Sequence, residues 1–277
     1  MSALKLFLFG PPRVELDGAL VEIQRRKALA LLIYLTVSKQ PHSRDALATL
    51  FYPDHSQSRA RSYLRRDLAV LNTSLAGAWL DTDRDTVELR HNDDHAPDSG
   101  QTLWLDVNRF QACLAACRQH DHPAHASCTD CLPLLTEAID LYADDFLAGF
   151  TLRDCPEFDD WQFFQAESLR QELGAALEQL VLGCSQTGKP DVAVPYARRW
   201  VALDPLHEPA QRALIQLYDQ AGQPSAALRQ YEDFVALLEA ELGLPPEEET
   251  RTLSEAIKAK RLLRPYLKAE EGRRSKM

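Results

Sequence analysis

No apolar run in these 277 residues approaches the ~18 that a membrane-spanning helix needs. No secretory leader is legible either. MSALKLFLFGPPRVELDG carries one lysine and a short apolar stretch broken by Gly10, Pro11 and Pro12, so Leu4 to Phe9 reads as a β-strand. The G-x-x-x-x-G-K-[ST] phosphate loop is missing, and no nucleophile–base set stands out, which argues against an enzyme. Excess positive charge is missing too: 31 Lys+Arg stand against 41 Asp+Glu, for a formal net charge of -10. What is present is a 45% hydrophobic composition, enough for a packed core, and a length that suits about two domains. A cytoplasmic protein with no membrane partner is expected.

The acidity is uneven. Residues 1–95 hold 13 Lys+Arg and 12 Asp+Glu, a net of +1, while the remainder carries -11. The first third is therefore free to approach a polyanion. Within it, SRARSYLRRDLAVL places Arg59, Arg61, Arg65 and Arg66 inside eight positions with a single acid, Asp67.

Short strand-like pieces lead up to that segment: LKLFLF, RVELDG and LVEI, with Asp17-Gly18 as a hairpin turn. Ala28, Leu31, Leu32 and Leu35 then recur at helical spacing. SRDALATLFY fits a second helix with Ser43 as N-cap, and Ser56 or Ser58 starts a third. At about 100° per residue, Ala60, Leu64, Leu68, Leu71 and Leu75 share one face of this third helix. Arg59, Ser62, Arg65 and Arg66 take the opposite face, with Arg61 at the margin. WLDTDRDTVELR follows as a hairpin with a polar tip.

Strands, three helices and a hairpin are the layout of a winged helix-turn-helix, whose third helix reads the major groove. Charge runs are ordinarily solvated helix faces. Here the helix is the third, a wing follows at once, and one acid accompanies four arginines. The expected recognition helix is about 56–75 and the wing about 79–90. The candidate DNA-contacting residues are Arg59, Arg61, Ser62, Arg65 and Arg66, suited to guanine and phosphate alike. Arg25 and Arg26, at the start of the first helix, are candidate phosphate contacts.

CRQHDHPAHASCTDC is the second unusual stretch. Cys128-x2-Cys131 lets two thiolates from one turn reach one zinc ion, and a Cys and two His lie just upstream. The expected structural Zn2+ site uses Cys117, His122, Cys128 and Cys131, with His120 as the alternative ligand. Free thiols and solvated imidazoles are the plain alternative.

From Leu132 onward the pattern is helical. PLLTEAIDLYADDFLAGF fits a helix ending near Gly149, and a long one runs from Pro156 toward Gly188. A 34-residue period then relates Gly188 to Gly222, Pro190 to Pro224, Ala193 to Ala227, Leu180 to Leu214 and Leu203 to Leu237. That period with helix–turn–helix units is the tetratricopeptide signature. Trp161, Phe163 and Phe164 read as inter-helix packing. Asp144-Asp145 and Asp159-Asp160 read as solvated charge.

LKLFLFGPPRVELDG, RRKALALLIYLTVSKQPHSRDALATLFYPD and ARSYLRRDLAVL together resemble the N-terminal domain of the SARP/AfsR class of bacterial transcriptional regulators. LYADDFLAGF, EFDDWQFFQAESLR and the stretch LDPLHEPAQRALIQLYDQAGQPSAALRQYEDFVALLEAELG resemble its activator domain, the BTAD. The resemblance implies an OmpR-type winged helix with Arg59, Ser62, Arg65 and Arg66 on its recognition helix. The fold class expected is mainly α with a small β part: a winged helix-turn-helix followed by an α-helical tetratricopeptide-like domain. Domain boundaries are expected at 1–95, 96–131 for a connecting helix and zinc loop, 132–265 for the helical domain, and 266–277 for a tail. Double-stranded DNA is the expected partner of the first domain. A second copy of the chain, transcription machinery or a fused signalling module is expected for the helical domain. The competing reading is a tetratricopeptide-type interaction scaffold without DNA readout.

Overall fold

The computed structural model describes residues 2–90, 101–120, 128–188 and 190–274, with side chains as far as residue 262. The polar loop expected at 91–100 and His122 lie outside the described residues. The chain divides into two compact units, one of residues 1–112 with 140–169, the other of 113–139 with 170–277.

The first unit opens on β1 (Ser2–Phe7), β2 (Arg13–Leu16) and β3 (Ala19–Leu20). Asp17 and Gly18 join β2 to β3 with φ of 52° and 82°. Two consecutive positive φ values make the turn whose twist suits a two-residue hairpin. Leu4 and Leu6 alternate inward and are fully buried. α1 (Arg26–Ser38) buries Ala28, Leu31, Leu32 and Leu35. β4 (His42–Ser43) leads into α2 (Arg44–Phe51), where Ser43 caps the helix by accepting from the Ala46 amide at 3.1 Å. α3 (Gln57–Ser74) follows, and then the hairpin of β5 (Leu80–Thr82) and β6 (Thr86–Leu89). β6 pairs on its other side with β4, giving a sheet ordered β4-β6-β5.

One strand escaped the pattern reading. β7 (Gln101–Leu105) pairs in parallel with β1 and completes a sheet ordered β3-β2-β1-β7. Read alone, TLWLDV looks like the run-up to a helix, because its partner is about a hundred residues away. Asp106, which opens α4 (Asp106–Gln119), is 3% exposed. Its carboxylate accepts the amides of Leu8 at 2.6 Å, Phe9 at 3.0 Å and Val107 at 2.8 Å, tying strand end to helix start.

The helix expected to reach Gly149 stops earlier: α5 spans Leu132–Leu141. Beyond it, Phe146 bridges to Phe9, the Leu147 amide donates to Leu8 O at 2.8 Å, and the Gly10 amide donates to Asp145 O at 3.1 Å. Those backbone bonds are available only if the segment leaves the helix. α6 (Pro156–Gln186) starts within this unit, with Trp161 among Tyr34, Phe146 and Phe158. Phe163 and Phe164, expected to pack, are 64% and 68% exposed.

The second unit holds the end of α4, most of α5, the rest of α6, and α7 (Pro190–Leu203), α8 (Glu208–Gln220), α9 (Pro224–Leu242) and α10 (Glu248–Arg274). α7, α8 and α9 pack in sequence order, joined by short loops that return each helix along its predecessor. The 34-residue period has structural counterparts. Pro190 and Pro224 each open a helix, Gly188 and Gly222 have φ of 70° and 73°, Ala193 and Ala227 are both 0% exposed, and Leu180 and Leu214 are both buried. α10 carries helix through the expected tail as far as Arg274. Among the described residues, no helix is long and apolar enough to cross a membrane.

Candidate nucleic-acid interface

α3 anchors through its leucines. Ala60, Leu64, Leu68 and Leu71 are buried along one stripe, with Leu75 just past the helix end. The opposite side carries Arg59, Arg65 and Arg66, all exposed, with Ser62 between them. Among the described residues, none of these three arginines has a carboxylate within ion-pair distance. Arg66 lies over the Tyr63 ring at 5.5 Å, which leaves its charge toward water.

The other sequence candidates are differently engaged. Arg61 forms a two-point ion pair with Asp45 of α2, both side chains about half exposed, and Gln57 Nε2 adds a 2.9 Å bond to the same carboxylate. The guanidinium holds the Asp45 carboxyl below the usual aspartate range. Arg25 precedes α1 and reaches into α3, where its Nε donates to Asp67 Oδ1 at 2.6 Å. Asp67 is 1% exposed and also accepts the Tyr52 hydroxyl. Burial, and then the Asp67 carboxylate, push the Tyr52 hydroxyl well above its ordinary pKa. Arg26 donates to the carbonyls of Thr151 at 2.7 Å and Gly149 at 3.4 Å and covers the Phe150 ring. Arg25, Arg26 and Arg61 thus have partners within the protein, and Arg59, Arg65 and Arg66 project from it.

Two positively charged residues that periodicity did not single out complete the surface. An open groove of about 710 Å³ runs between α2, α3 and the hairpin tip, and Arg44, Arg61, Arg65 and Arg84 line it beside Asp45 and Asp85. The tip is held in place: the Arg44 amide donates to Asp85 O at 2.8 Å, and Arg44 Nε donates to Asp83 O at 2.9 Å. Asp83 folds the tip by accepting the amides of Asp85 and Thr86. The signal in the sequence was the lone arginine within the polar tip DTDRD; Arg44 gave none beyond its place at a helix start.

The cysteine- and histidine-bearing stretch lies in the second unit. One ligand atom each from His120, Cys128 and Cys131 falls within 4.8 Å of the others. Cys117 Sγ is 3.8 Å from the Cys131 carbonyl oxygen. The bond from the His120 ring draws the Cys128 thiol down to about 7, while burial, with neighbouring thiols, pushes Cys131 up to about 12. His120, the alternative ligand named from the sequence, lies beside the two sulfurs, and His122 lies outside the described residues.

A winged helix with an arginine-bearing third helix, joined to a helical unit, defines a class: DNA-binding transcriptional regulators. Comparison with known proteins makes this specific. The model of the bacterial transcriptional activator domain matches residues 105–258. The transcriptional regulatory protein MoaR1 of Mycobacterium tuberculosis is 25% identical over 262 residues, covering 92% of this chain and 79% of its own. MoaR1 of Mycobacterium bovis gives the same figures. A structure of Mycobacterium tuberculosis EmbR in complex with a low-affinity phosphopeptide superposes with a TM-score of 0.70 at 23% identity. That match covers 94% of this chain but 66% of the EmbR chain, and it bears on the fold. The chain belongs to the bacterial transcriptional activator domain family and is a regulator of the SARP class. Its relatives regulate transcription and are not enzymes.

Proposed function

We propose that this protein reads a defined DNA sequence by laying α3 in the major groove, with the β5–β6 wing along the phosphate backbone. The observation that carries the reading is the outward set Arg59, Arg65 and Arg66, which have no acidic partner among the described residues. Arg84 at the wing tip extends the positive surface on the far side of the groove. Guanidinium groups suit both tasks, since they bind guanine edges in pairs of hydrogen bonds and also neutralise phosphate. Arg61 joins the interface only by leaving Asp45, so it contributes less than its neighbours. The helical unit supplies dimerisation or partner contact.

Selection of binding sites from random duplexes tests this directly. Enrichment of one motif is expected. Failure to enrich any duplex leaves the interaction-scaffold reading, which the acidity of residues 96–277 favours. On the selected site, Arg65→Ala or Arg66→Ala costs roughly 1–3 kcal/mol wherever the arginine makes a bidentate base contact. Unchanged affinity in both variants would remove α3 from the groove.

A further inference from the structure

The geometry at the α4–α5 junction points to a metal site, and we propose that Cys117, His120, Cys128 and Cys131 bind one zinc-class divalent cation in a closed tetrahedral shell. The site is independent of DNA readout. Two short turns build it. The His120 amide donates to Cys117 O at 3.4 Å as the chain leaves α4, and the Cys131 amide donates to Cys128 O at 3.1 Å as it enters α5. Each turn presents two ligands separated by two residues, the spacing at which one tight turn offers both to a single ion.

The distances suit that ion. His120 Nδ1 is 3.2 Å from Cys131 Sγ and 3.6 Å from Cys128 Sγ. Zinc–sulfur bonds of about 2.3 Å and zinc–nitrogen bonds of about 2.0 Å at tetrahedral angles separate sulfur from nitrogen by roughly 3.5 Å. Cys117, on the last turn of α4, has its sulfur 3.8 Å from Cys131 O while Cys131 Sγ lies 4.0 Å from Cys117 O. Its sulfur stands outside the cluster formed by His120, Cys128 and Cys131, so it completes the shell only by a shift of its side chain toward them. Three thiolates with one imidazole make a soft donor set that selects zinc over magnesium or calcium. Four protein ligands leave no open position, so the ion is structural. It staples the end of α4 to the start of α5, and metal binding and local folding become linked.

The test uses the full chain purified without chelator. About one equivalent of zinc per chain is expected from elemental analysis. Cobalt(II) added to the zinc-free protein should give the intense visible bands of a tetrahedral centre together with thiolate-to-metal charge transfer. The double variant Cys128→Ser/Cys131→Ser should bind cobalt at least tenfold more weakly, and Cys117→Ser should also weaken it. Zinc-free wild type should melt at lower temperature than the loaded form. Absence of both zinc and a cobalt spectrum in the wild type overturns the site. So does full metal content in the double variant. If that variant does not fold, the wild-type cobalt spectrum decides alone. Unchanged cobalt affinity in Cys117→Ser overturns the closed four-ligand shell.

Discussion

Asp67 sits near the middle of α3 yet faces inward, where it accepts from Tyr52 and Arg25. A carboxylate this deeply buried is tolerated because two donors satisfy it. Asp67→Ala strands the Tyr52 hydroxyl and the Arg25 guanidinium and should cost about 3 kcal/mol, measured by denaturant unfolding. Tyr52 also gives a pH signature. Its folded pKa lies above the unfolded value of about 10. The stability it contributes is therefore present below about pH 10 and lost as pH rises toward the folded value. Tyr52→Phe, which cannot ionise there, should lose less stability than wild type across that alkaline window, although its stability at neutral pH is lower by about 1 kcal/mol.

α3 divides its work between two faces, and the faces respond to different measurements. Leu71 is 0% exposed, so Leu71→Ala should destabilise the protein by roughly 2–5 kcal/mol through lost burial and a residual cavity. Arg59 is exposed and its substitution by Ala should leave stability within about 0.5 kcal/mol while lowering DNA affinity. Equal destabilisation by both changes would mean that α3 has no face free for a ligand. The same division accounts for the three engaged arginines. Arg25 joins the start of α1 to α3, Arg61 joins α3 to α2, and Arg26 holds the 149–151 segment. All three tie elements of the first unit to one another.

Over the whole molecule, charge separation shapes how DNA is approached. The net charge of +1 over residues 1–95 sits within a chain of -10. On the proposed reading, long-range attraction to DNA is weak overall, and affinity depends on local arginine–phosphate contacts. Those contacts release counterions, so log affinity should fall linearly with log salt. Removing one phosphate-contacting arginine, with Arg84→Ala at the wing tip as the case to measure, should reduce that slope by about one while weakening all sequences alike. A slope unchanged in Arg84→Ala would mean that the wing does not touch the backbone.

Local pattern by itself located most of the helices and the buried stripe of α3, because a 3.6-residue apolar rhythm and capping residues are properties of adjacent positions. Ser43 as a cap, the Asp17-Gly18 turn and the equivalence of Ala193 with Ala227 belong to that class. Tertiary structure alone decided whatever depends on partners distant in the chain. β7 became a strand by pairing with β1, and the helix from Leu132 ended at Leu141 where Phe9 and Gly10 offered backbone bonds. Arginines that look alike in the sequence parted company because Asp45 and Asp67 face only some of them. An ion pair depends on distance in space, and sequence spacing does not encode it across elements.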